Sequence, residues 1–266
     1  MGKFALVTGA YGGMGKATVQ ALKQKGYGVF AADKTIGEEE ENVYPLQVDV
    51  TDPQSVQNAV DKVRAVTDTL FAIVHFAGIY MLDSLVEMSY SDFERIFKIN
   101  VFGVFSVNKA FVPLLIKGGK IVITTSELAP LDPLPFTGIY AVTKAALDKY
   151  AYSLAMELQL LGISVSVLRA GAVQTNMLGT STTALDKFCN ETELYTCNAE
   201  RFKQIVESVE AKCVPPQKIA AKMLKILDKR KPKFAYTINR NKLLLLLNAL
   251  PKRTQLWAIK QVLKQK

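Results

Sequence analysis

Two side chains with complementary chemistry, Tyr140 and Lys144, lie four residues apart in this 266-residue chain. The apolar spacing predicts a helix over 140–161, so both side chains project from one helix face. A nearby ammonium favours the phenolate form of a tyrosine and lowers its pKa from about 10 toward neutral pH. A tyrosine tuned in this way can act as a general acid or base. Because Tyr-x-x-x-Lys alone is common on helix surfaces, the other motifs of the chain must show whether this pair is catalytic.

A glycine-rich turn near the start of the chain has the residues that phosphate binding needs. Residues 3–8 form a short apolar run typical of a strand, and a helical pattern continues through Leu22. Between them stand Gly9, Gly13 and Gly15. Residues without a Cβ let the backbone approach a pyrophosphate, and the helix N-terminus directs free N–H groups at its charge. A glycine motif alone is weak support, because a tight turn between a strand and a helix uses the same residues.

An acidic residue closes the second predicted strand, 28–33. Asp33 stands 18 residues after Gly15, where a carboxylate can hydrogen-bond the ribose hydroxyls of an adenosine and repel a 2′-phosphate. Lys34 follows directly, but no Arg or Lys lies between Gly9 and Gly15 to help hold a second phosphate. The pattern therefore favours NAD over NADP.

The elements that must position these residues alternate along the chain. Further strands are predicted at 44–50, 70–76, 120–125 and 163–169, with a seventh around Thr237, and helices at 53–63, 91–115 and 140–161. The uniformly apolar run 70–76 is typical of a strand buried on both faces. Strands separated by helix-length segments predict parallel pairing. We therefore expect a single α/β domain with a doubly wound parallel sheet of the Rossmann type.

Two segments depart from this alternation. Residues 176–213 are rich in Ser, Thr and Asn in their first half, and we interpret them as an irregular lid or substrate-binding loop. Residues 241–266 are interpreted as a basic, leucine-rich helical extension of the domain at 1–240. No internal repeat or linker divides the chain further.

Basic charge is concentrated toward the end of the chain. Residues 212–266 contain 15 of the 33 basic residues and one of the 24 acidic ones. The leucine run 243–247 and Trp257 lie among lysines, which is typical of an interfacial helix attracted to an anionic membrane. A helix packed on a partner subunit, or a solvated face, fits equally well. No stretch reaches the roughly 18 apolar residues that spanning requires. The tail has no known nucleic-acid-binding motif, so nucleic acid is not expected as a partner.

Composition excludes several other classes of protein. With 49% hydrophobic and 21% charged residues, the chain can bury a large core, which excludes a disordered or collagen-like protein. The start lacks the pattern of a secretory signal, and three cysteines without CxxC spacing fit a reducing compartment, so we expect a cytoplasmic protein. Because His75 is the only histidine, no metal site is expected.

Taken together, the motifs resemble the short-chain dehydrogenase/reductase family. The resemblance is carried by TGAYGGMG at the glycine turn, Asp33, DVTD at 49–52, Asn100, Ser126 after a strand, and YAVTK at 140–144. Their order and spacing agree over about residues 3–175. The resemblance implies a Rossmann-type domain, usually a homodimer or homotetramer, that transfers hydride reversibly between a nicotinamide and an alcohol or carbonyl carbon.

The same resemblance implies a role for each matching residue. The catalytic set would be Tyr140 as proton donor or acceptor, Ser126 orienting the substrate oxygen, Lys144 binding the nicotinamide ribose and tuning Tyr140, and Asn100 holding a water that links Lys144 to solvent. The cofactor-binding set would be Gly9, Gly13, Met14 and Gly15 at the pyrophosphate, Asp33 at the adenosine ribose, Asp49 and Val50 at the adenine, Ala77 and Gly78 along the cofactor, and Val173 and Thr175 at the carboxamide, together with Tyr140 and Lys144.

The sequence departs from the family pattern at three places. His75-Phe76 replaces two amides that usually brace the sheet and the cofactor, Ala170 replaces a proline, and Ser126 precedes Tyr140 by 14 residues rather than 13. None of these changes removes a reacting group. For His75 we expect a buried structural imidazole at a strand end.

Substrate-binding residues should lie beyond the carboxyl ends of the strands, in 127–139, in the segment after Thr175 and in the C-terminal part. The apolar candidates are Leu128, Leu131, Leu134, Phe136, Met177, Leu178 and Leu185. They fit a lipophilic alcohol or ketone such as a steroid, a retinoid or a fatty-chain compound, and they fit simple packing of the lid equally well.

We therefore predict an NAD-dependent alcohol dehydrogenase or ketone reductase, with the hydroxysteroid and retinol dehydrogenases as the leading comparison within the family. The alternative is a catalytically idle Rossmann protein that senses a nicotinamide cofactor or binds a partner through its basic tail. The intact set of Asn100, Ser126, Tyr140 and Lys144 favours the enzyme, because a sensor does not need all four.

Overall fold

A computed structural model describes residues 2–210 and 213–264, with the side chains of 176–182, 197 and 207–210 left undescribed. In this part of the chain, seven parallel strands form one sheet in the order β3-β2-β1-β4-β5-β6-β7. The strands are β1 (Phe4–Thr8), β2 (Gly28–Asp33), β3 (Val43–Gln47), β4 (Leu70–His75), β5 (Leu115–Ser126), β6 (Ser164–Ala170) and β7 (Ala235–Ile238). The strand order reverses between β1 and β4, as in a doubly wound sheet, so the predicted fold class is confirmed.

Helices cover both faces of this sheet. They are α1 (Gly13–Gln24), α2 (Pro53–Arg64), α3 (Tyr90–Phe97), α4 (Gly103–Phe111), α5 (Gly138–Leu158), α6 (Asn176–Glu191), α7 (Thr196–Glu210), α8 (Pro216–Leu227), α9 (Lys242–Asn248) and α10 (Lys252–Leu263). One core contains Val60 of α2, Val107 of α4 and Leu147 of α5. The other contains Leu22 of α1 and Met223 of α8. The sheet therefore separates two apolar layers.

Strand β4 lies in the middle of the sheet, between β1 and β5. All six of its residues are buried. Ile73 belongs to one core, whereas Ala72 and Val74 belong to the other, so alternate side chains serve opposite faces. This is why the sequence 70–75 is apolar throughout rather than alternating.

In place of the helix predicted over 91–115, the chain forms four consecutive helical segments that end at Leu114. Between α3 and α4 the chain forms a π-helical turn over Lys98–Phe102, and a 3₁₀ turn over Val112–Leu114 follows α4. Such wide turns are frequent at functional sites. Here the turn contains Asn100, which is completely buried. Leu115 already belongs to β5, which begins five residues before its predicted start.

The end of β3 also differs from its prediction over 44–50. The strand stops at Gln47. Asp49 then accepts hydrogen bonds from the Thr51 N–H and hydroxyl, at 2.9 and 2.6 Å. Asp52 caps α2 by accepting from the Gln54 N–H. These local side-chain contacts turn the chain out of the sheet before Val50.

The prediction of an irregular loop over 176–213 is wrong, because this segment contains α6 and α7. Leu185 and Phe188 of α6 and Phe202 of α7 are buried around Phe136 in a small third core. The Phe136 ring lies 4.4 Å from that of Phe188, between centroids. The spacing of three residues between Leu185 and Phe188 is typical of a helix, but the Ser and Thr residues in the first turns of α6 obscured the pattern.

The C-terminal extension is helical, as predicted. The Asn241 side chain caps α9 by accepting from the Leu243 N–H at 2.9 Å. Gln255 of α10 is buried and donates to the Leu250 carbonyl at 2.8 Å, which fixes α10 against the end of α9. Among the residues that the structure describes, no helix is both long enough and apolar enough to cross a bilayer.

His75 is a buried imidazole at the end of β4, as predicted. Its Nε2 atom lies 2.9 Å from Asn108 Oδ1 of α4, and Asn108 donates through Nδ2 to the Tyr150 hydroxyl of α5 at 3.2 Å. Burial lowers the pKa of His75 from 6.5 to about 4. The imidazole is therefore neutral near pH 7 and joins β4 to two helices.

Acidification should destabilise the fold through His75. Because its pKa is lower in the folded chain, the unfolded chain binds the proton first, so stability is full above pH 6.5 and is lost as the pH falls toward 4. We expect about 2 kcal/mol of unfolding free energy to be lost between pH 7 and pH 5 through this group. Urea unfolding at pH 5, 6 and 7 measures the loss. In His75→Asn the pH dependence should shrink by that amount, and an unchanged pH dependence would contradict the prediction.

Candidate active site

A crevice of about 800 Å³ lies at the carboxyl ends of β1, β2 and β4. This is the point where the strand order reverses, and open α/β sheets bind ligands there. Most of the predicted cofactor-binding residues line it: Gly9, Gly13, Met14, Gly15, Asp33, Asp49, Val50, Ala77, Gly78 and Thr175. The structure thus brings together residues that are spread over the chain from Gly9 to Thr175.

The glycine turn between β1 and α1 is closely packed against the end of β4. Gly9 has a φ of +65°, and a Cβ placed on it would lie 2.6 Å from the Ala77 nitrogen. A Cβ on Gly15 would lie 2.0 Å from the Gly9 carbonyl oxygen. The N-cap residue of α1 is Gly12, which provides no capping side chain. The backbone of the turn is therefore accessible, and no side-chain cap from the turn occupies the positive end of the helix.

The other end of the crevice has a fixed carboxylate. Asp33 Oδ2 accepts from the Tyr11 N–H at 3.0 Å, and Oδ1 accepts from the Lys34 N–H at 2.7 Å. The Lys34 ammonium lies 3.2 Å from Asp49 Oδ2. Hydrogen bonds from Thr51, with a smaller effect of Lys34, hold the pKa of Asp49 below its usual value. Asp33 is thus held at the crevice wall, while the neighbouring ammonium pairs with another carboxylate.

These features fit a dinucleotide. The crevice has a glycine-rich turn at the place where a pyrophosphate needs close backbone approach, and a carboxylate at the place where a ribose offers two hydroxyl donors. The residues Gly9, Gly13, Met14 and Gly15 would hold the pyrophosphate, and Asp33 would hold the adenosine ribose. A nicotinamide would then extend toward β5.

A second cavity, of about 500 Å³, opens at the ends of β5 and β6. It shares Met14, Gly78, Tyr80 and Thr175 with the crevice, so the two spaces meet. Asn100 does not line it, but four further predicted site residues do: Ser126, Tyr140, Lys144 and Val173. Ser126 is the last residue of β5, and its side chain hydrogen-bonds Tyr140 in the first turn of α5.

Lys144 lies one helical turn beyond Tyr140 and is 7% exposed. Its Nζ atom donates to the Thr124 carbonyl at 3.4 Å and lies 5.5 Å from the centre of the Tyr140 ring. Burial lowers the pKa of Lys144 to about 8. The Thr124 hydroxyl is also buried and has no hydrogen-bond partner within the described ranges. A polar ligand group at this place would find both an ammonium and an unsatisfied hydroxyl.

The pKa of Tyr140 is raised, whereas the sequence predicted that it would be lowered. Burial raises it above the usual value of 10, the nearby Tyr80 raises it further, and the hydrogen bond with Ser126 lowers it only in part. The Tyr80 and Tyr140 rings lie 4.9 Å apart between centroids. Desolvation therefore outweighs the effect expected from Lys144, and Tyr140 carries its proton at neutral pH in the chain without ligand.

Asn100 lies outside the walls of both cavities and braces the backbone behind them. Its Oδ1 accepts from the Ile79 N–H at 2.8 Å, and its Nδ2 donates to the Ile79 carbonyl at 3.0 Å and to the Thr143 hydroxyl at 3.1 Å. It thereby fastens the segment after β4 to α5 beside Lys144. A water held between Asn100 and Lys144 stays a prediction.

Sequence reasoning missed Asp148, which continues the helix face of Tyr140 and Lys144 by one turn. Its Oδ1 accepts from the Thr125 hydroxyl at 2.9 Å, and its Oδ2 accepts from Arg169 Nε at 3.0 Å. It is 8% exposed. Asp148 therefore joins α5 to both β5 and β6. The spacing of four residues from Lys144 was the available signal.

The predicted substrate residues divide into two groups. Leu128 and Leu134 line the second cavity, whereas Phe136 and Leu185 form the third core. Leu131 is not part of the cavity wall, and the side chains of Met177 and Leu178 lie outside the described residues. Both earlier interpretations, cavity lining and lid packing, thus apply to different residues.

The C-terminal helices complete the second cavity, in line with the prediction that the C-terminal part contributes. The contributing side chains are Leu243, Leu244 and Leu247 of α9 and Ala258, Ile259, Val262 and Leu263 of α10. Phe202, Ile205 and Val206 of α7 also line the cavity, and Phe202 and Val206 pack with Leu263 of α10. The leucine run therefore has an inner side that faces ligand space, which the sequence analysis did not distinguish.

Comparison with known proteins identifies the class. Residues 3–186 match the family model described as short chain dehydrogenase. The chain belongs to this family of oxidoreductases, whose members bind nicotinamide cofactors. Solved structures of similar fold include one complexed with NADH and one with NADP bound.

Individual relatives differ in their substrates. A 3-ketodihydrosphingosine reductase of Bacteroides thetaiotaomicron is 29% identical over 231 residues, which cover 86% of this chain and 85% of the relative. Estradiol 17-beta-dehydrogenase 2 of Mus musculus is 36% identical over 191 residues, covering 66% of this chain and 50% of the relative, so the match spans half of that protein. A short chain dehydrogenase family structure from Francisella tularensis superposes with a TM-score of 0.75 at 24% identity, covering 90% of this chain and 97% of that one.

Proposed function

We propose that this protein is an NAD(H)-dependent oxidoreductase that interconverts a ketone and a secondary alcohol on a lipophilic, fatty-chain or steroid-like substrate. The observation that carries the proposal is the position of Tyr140, Ser126 and Lys144 where the glycine-lined crevice meets an apolar cavity. The relatives named for ketodihydrosphingosine and estradiol support a lipophilic substrate. The longer reciprocal coverage of the former favours a fatty chain.

In this mechanism, Ser126 and Tyr140 hydrogen-bond the substrate oxygen and hold it at the junction of the two cavities. When the ketone is reduced, Tyr140 transfers its phenol proton to that oxygen as negative charge develops on it. The neighbouring Lys144 ammonium then stabilises the phenolate that Tyr140 becomes. A bound nicotinamide dinucleotide supplies or accepts the hydride. The apolar side chains of α9 and α10 exclude water from this space.

With its raised pKa, Tyr140 is in the protonated form from which ketone reduction begins. A phenol that keeps its proton at neutral pH is ready to donate it, whereas alcohol oxidation requires the phenolate. The lowered pKa of Lys144, about 8, leaves its ammonium largely charged at neutral pH. Both groups are therefore in the protonation state that reduction needs.

Removing the Tyr140 hydroxyl should abolish most of the turnover. In Tyr140→Phe we expect kcat to fall about 100-fold to 10,000-fold, because the phenol is the proton donor of the proposed step. NADH oxidation at 340 nm with 3-ketodihydrosphingosine, and in parallel with estrone, gives the measurement. Tyr152→Phe is the matched control, because Tyr152 lies exposed on the same helix and should keep full activity. Full activity of Tyr140→Phe would refute the mechanism, and dinucleotide binding without any turnover would favour the sensor.

We propose NAD rather than NADP as the cofactor. The fixed Asp33 carboxylate would repel a 2′-phosphate, and the one ammonium beside it, on Lys34, is engaged by Asp49. Among the residues lining the crevice, Lys34 and Arg95 are the cations.

Neutralising Asp33 should weaken the preference for NADH. We expect kcat/KM with NADH to exceed that with NADPH at least tenfold in the native chain, and Asp33→Asn to reduce this ratio about tenfold, since like-charge repulsion is removed. Steady-state kinetics with both cofactors measures the ratio. Glu39→Gln, a charge change in the exposed loop after the same strand, should leave it unchanged. A native preference for NADPH would contradict the proposal.

We further propose that the extension at 241–266 of the domain at 1–240 holds this otherwise cytoplasmic protein at an anionic membrane surface. Leu246, Leu256 and Trp257 are 63 to 71% exposed, although α9 and α10 turn other residues into the cavity. The basic residues of the same helices are Lys242, Lys252, Arg253 and Lys260. Exposed apolar residues among cations are typical of interfacial helices. Packing on another subunit, in a homodimer or homotetramer, is the competing proposal.

Vesicle flotation should separate these two proposals. We expect the protein to float with phosphatidylserine-containing vesicles at low salt, to float less at high salt, and not to float with phosphatidylcholine alone. Trp257→Ser should reduce flotation, whereas Tyr90→Ser, which removes an exposed aromatic of α3, should not. Absence of flotation on anionic vesicles at low salt, together with dissociation of Trp257→Ser into smaller oligomers on sedimentation, would show that the face packs on a subunit instead.

A further inference from the structure

A carboxylate lies in the wall of the apolar cavity, directly after the residue that would orient the substrate oxygen. Glu127 follows Ser126 at the end of β5, lines the cavity and is 9% exposed. Its N–H donates to the Ala170 carbonyl at 3.0 Å, which fixes its backbone to β6. One side-chain oxygen, Oε2, accepts from the Asn241 N–H at 2.6 Å. The family resemblance assigned this residue no role.

The charge of Glu127 is poorly compensated. Across the described ranges, no ammonium or guanidinium lies within 4 Å of its carboxylate. Burial raises the pKa of Glu127, and the exposed Arg240 offsets this only in part. The other charged side chain in the cavity wall is Lys144, which faces Thr124. A buried carboxylate is costly unless a cation or several donors accompany it.

The position of Glu127 defines what such a cation would be. Consecutive Cα atoms are about 3.8 Å apart, so Ser126 and Glu127 belong to the same end of the cavity. Apolar side chains make up most of the remaining cavity wall, among them leucines from α9 and Ile259 from α10. A ligand that satisfies both parts has a cationic group within a few atoms of its reacting carbonyl and a long hydrocarbon chain beyond.

We propose that Glu127 binds the primary ammonium of a long-chain α-amino ketone and thereby selects this substrate class over neutral lipid ketones. The inference rests on the proposed function, because it specifies the substrate of the same site. The ammonium would donate to the carboxylate oxygen that Asn241 leaves available, Oε1. The resulting ion pair would place the carbonyl next to the Ser126 and Tyr140 hydroxyls and leave the chain against α9 and α10.

The experiment must distinguish binding of the substrate ammonium from a purely structural role of Glu127. Its contact with the Asn241 N–H ties β5 to the beginning of α9, so loss of the side chain could displace the cavity wall. Glu127→Gln keeps an oxygen that can accept from Asn241 and removes the charge alone. Glu200→Gln is the matched control, because Glu200 is exposed on α7, whose other side lines the cavity.

The kinetic test compares 3-ketodihydrosphingosine with its neutral analogue 1-hydroxyoctadecan-3-one, which lacks the amine. In the native chain we expect kcat/KM to be at least tenfold higher for the amino ketone. Glu127→Gln should erase this preference by lowering kcat/KM for the amino ketone at least tenfold, mainly through KM, while changing the neutral ketone less than threefold. Glu200→Gln should preserve the preference. An equal loss for both ketones, or no loss for either, would overturn the proposal.

A binding measurement separates this proposal from the proposed function. Calorimetric titration of the native chain and Glu127→Gln with dihydrosphingosine and with octadecane-1,3-diol requires no turnover. Tighter binding of the amine to the native chain, lost in Glu127→Gln, would support the role of Glu127 even if neither ketone is reduced, in which case the reaction and not the recognition would be wrong. Equal affinity of the native chain for both compounds would overturn the role of Glu127 even if both ketones are reduced.

Discussion

The burial of the Lys144 ammonium beneath α5 is the interaction on which the arrangement of the site depends. A buried ammonium needs an acceptor, and the Thr124 carbonyl of β5 provides one. This contact keeps the first turns of α5 against the end of β5, so that Tyr140 is carried to Ser126. One turn further along, Asp148 repeats the attachment through Thr125 and Arg169. The same helix face therefore serves both chemistry and anchoring.

The desolvation that this packing requires also determines the protonation states. It lowers the pKa of Lys144 to about 8 and raises that of Tyr140. The two shifts make the pair neutral phenol and ammonium rather than phenolate and ammonium near pH 7. The spacing along the sequence indicated that the two groups are neighbours. It contained no information on how far they are buried from solvent. Electrostatic tuning is in this sense a property of the assembled core.

Much of the fold was predictable because its signals are local. The apolar run of β4, the glycine turn before α1 and the Asp52 cap of α2 each specify a short element, and repeated alternation specifies parallel pairing. The π-helical turn around Asn100 was not predictable, since a single inserted residue in a helix leaves no periodic trace. It forms because Asn100 reaches the backbone of Ile79, which lies 21 residues earlier.

The errors at the carboxyl side of the sheet have a different cause. Leu185 and Phe188 of α6 and Phe202 of α7 are buried with Phe136, which lies 49 residues before Leu185. The inner leucines of α9 line a cavity whose other walls come from distant parts of the chain. Composition alone could not show which leucines face inward and which face solvent. Short helices with a mixed polar pattern depend on tertiary contacts for their stability, so they are difficult to predict from the sequence.

The placement of α9 and α10 in the cavity wall means that the chemistry and the shape of the ligand space are encoded in separate stretches of the gene. The family match ends at residue 186, before either helix begins. Substitutions in the final helices can therefore alter which molecules are admitted without disturbing the glycine turn or Tyr140. Evolution can therefore diversify the ligand space of such a scaffold through its C-terminal helices, and the relatives of this chain are named for ligands as unlike as a sphingoid base and a steroid.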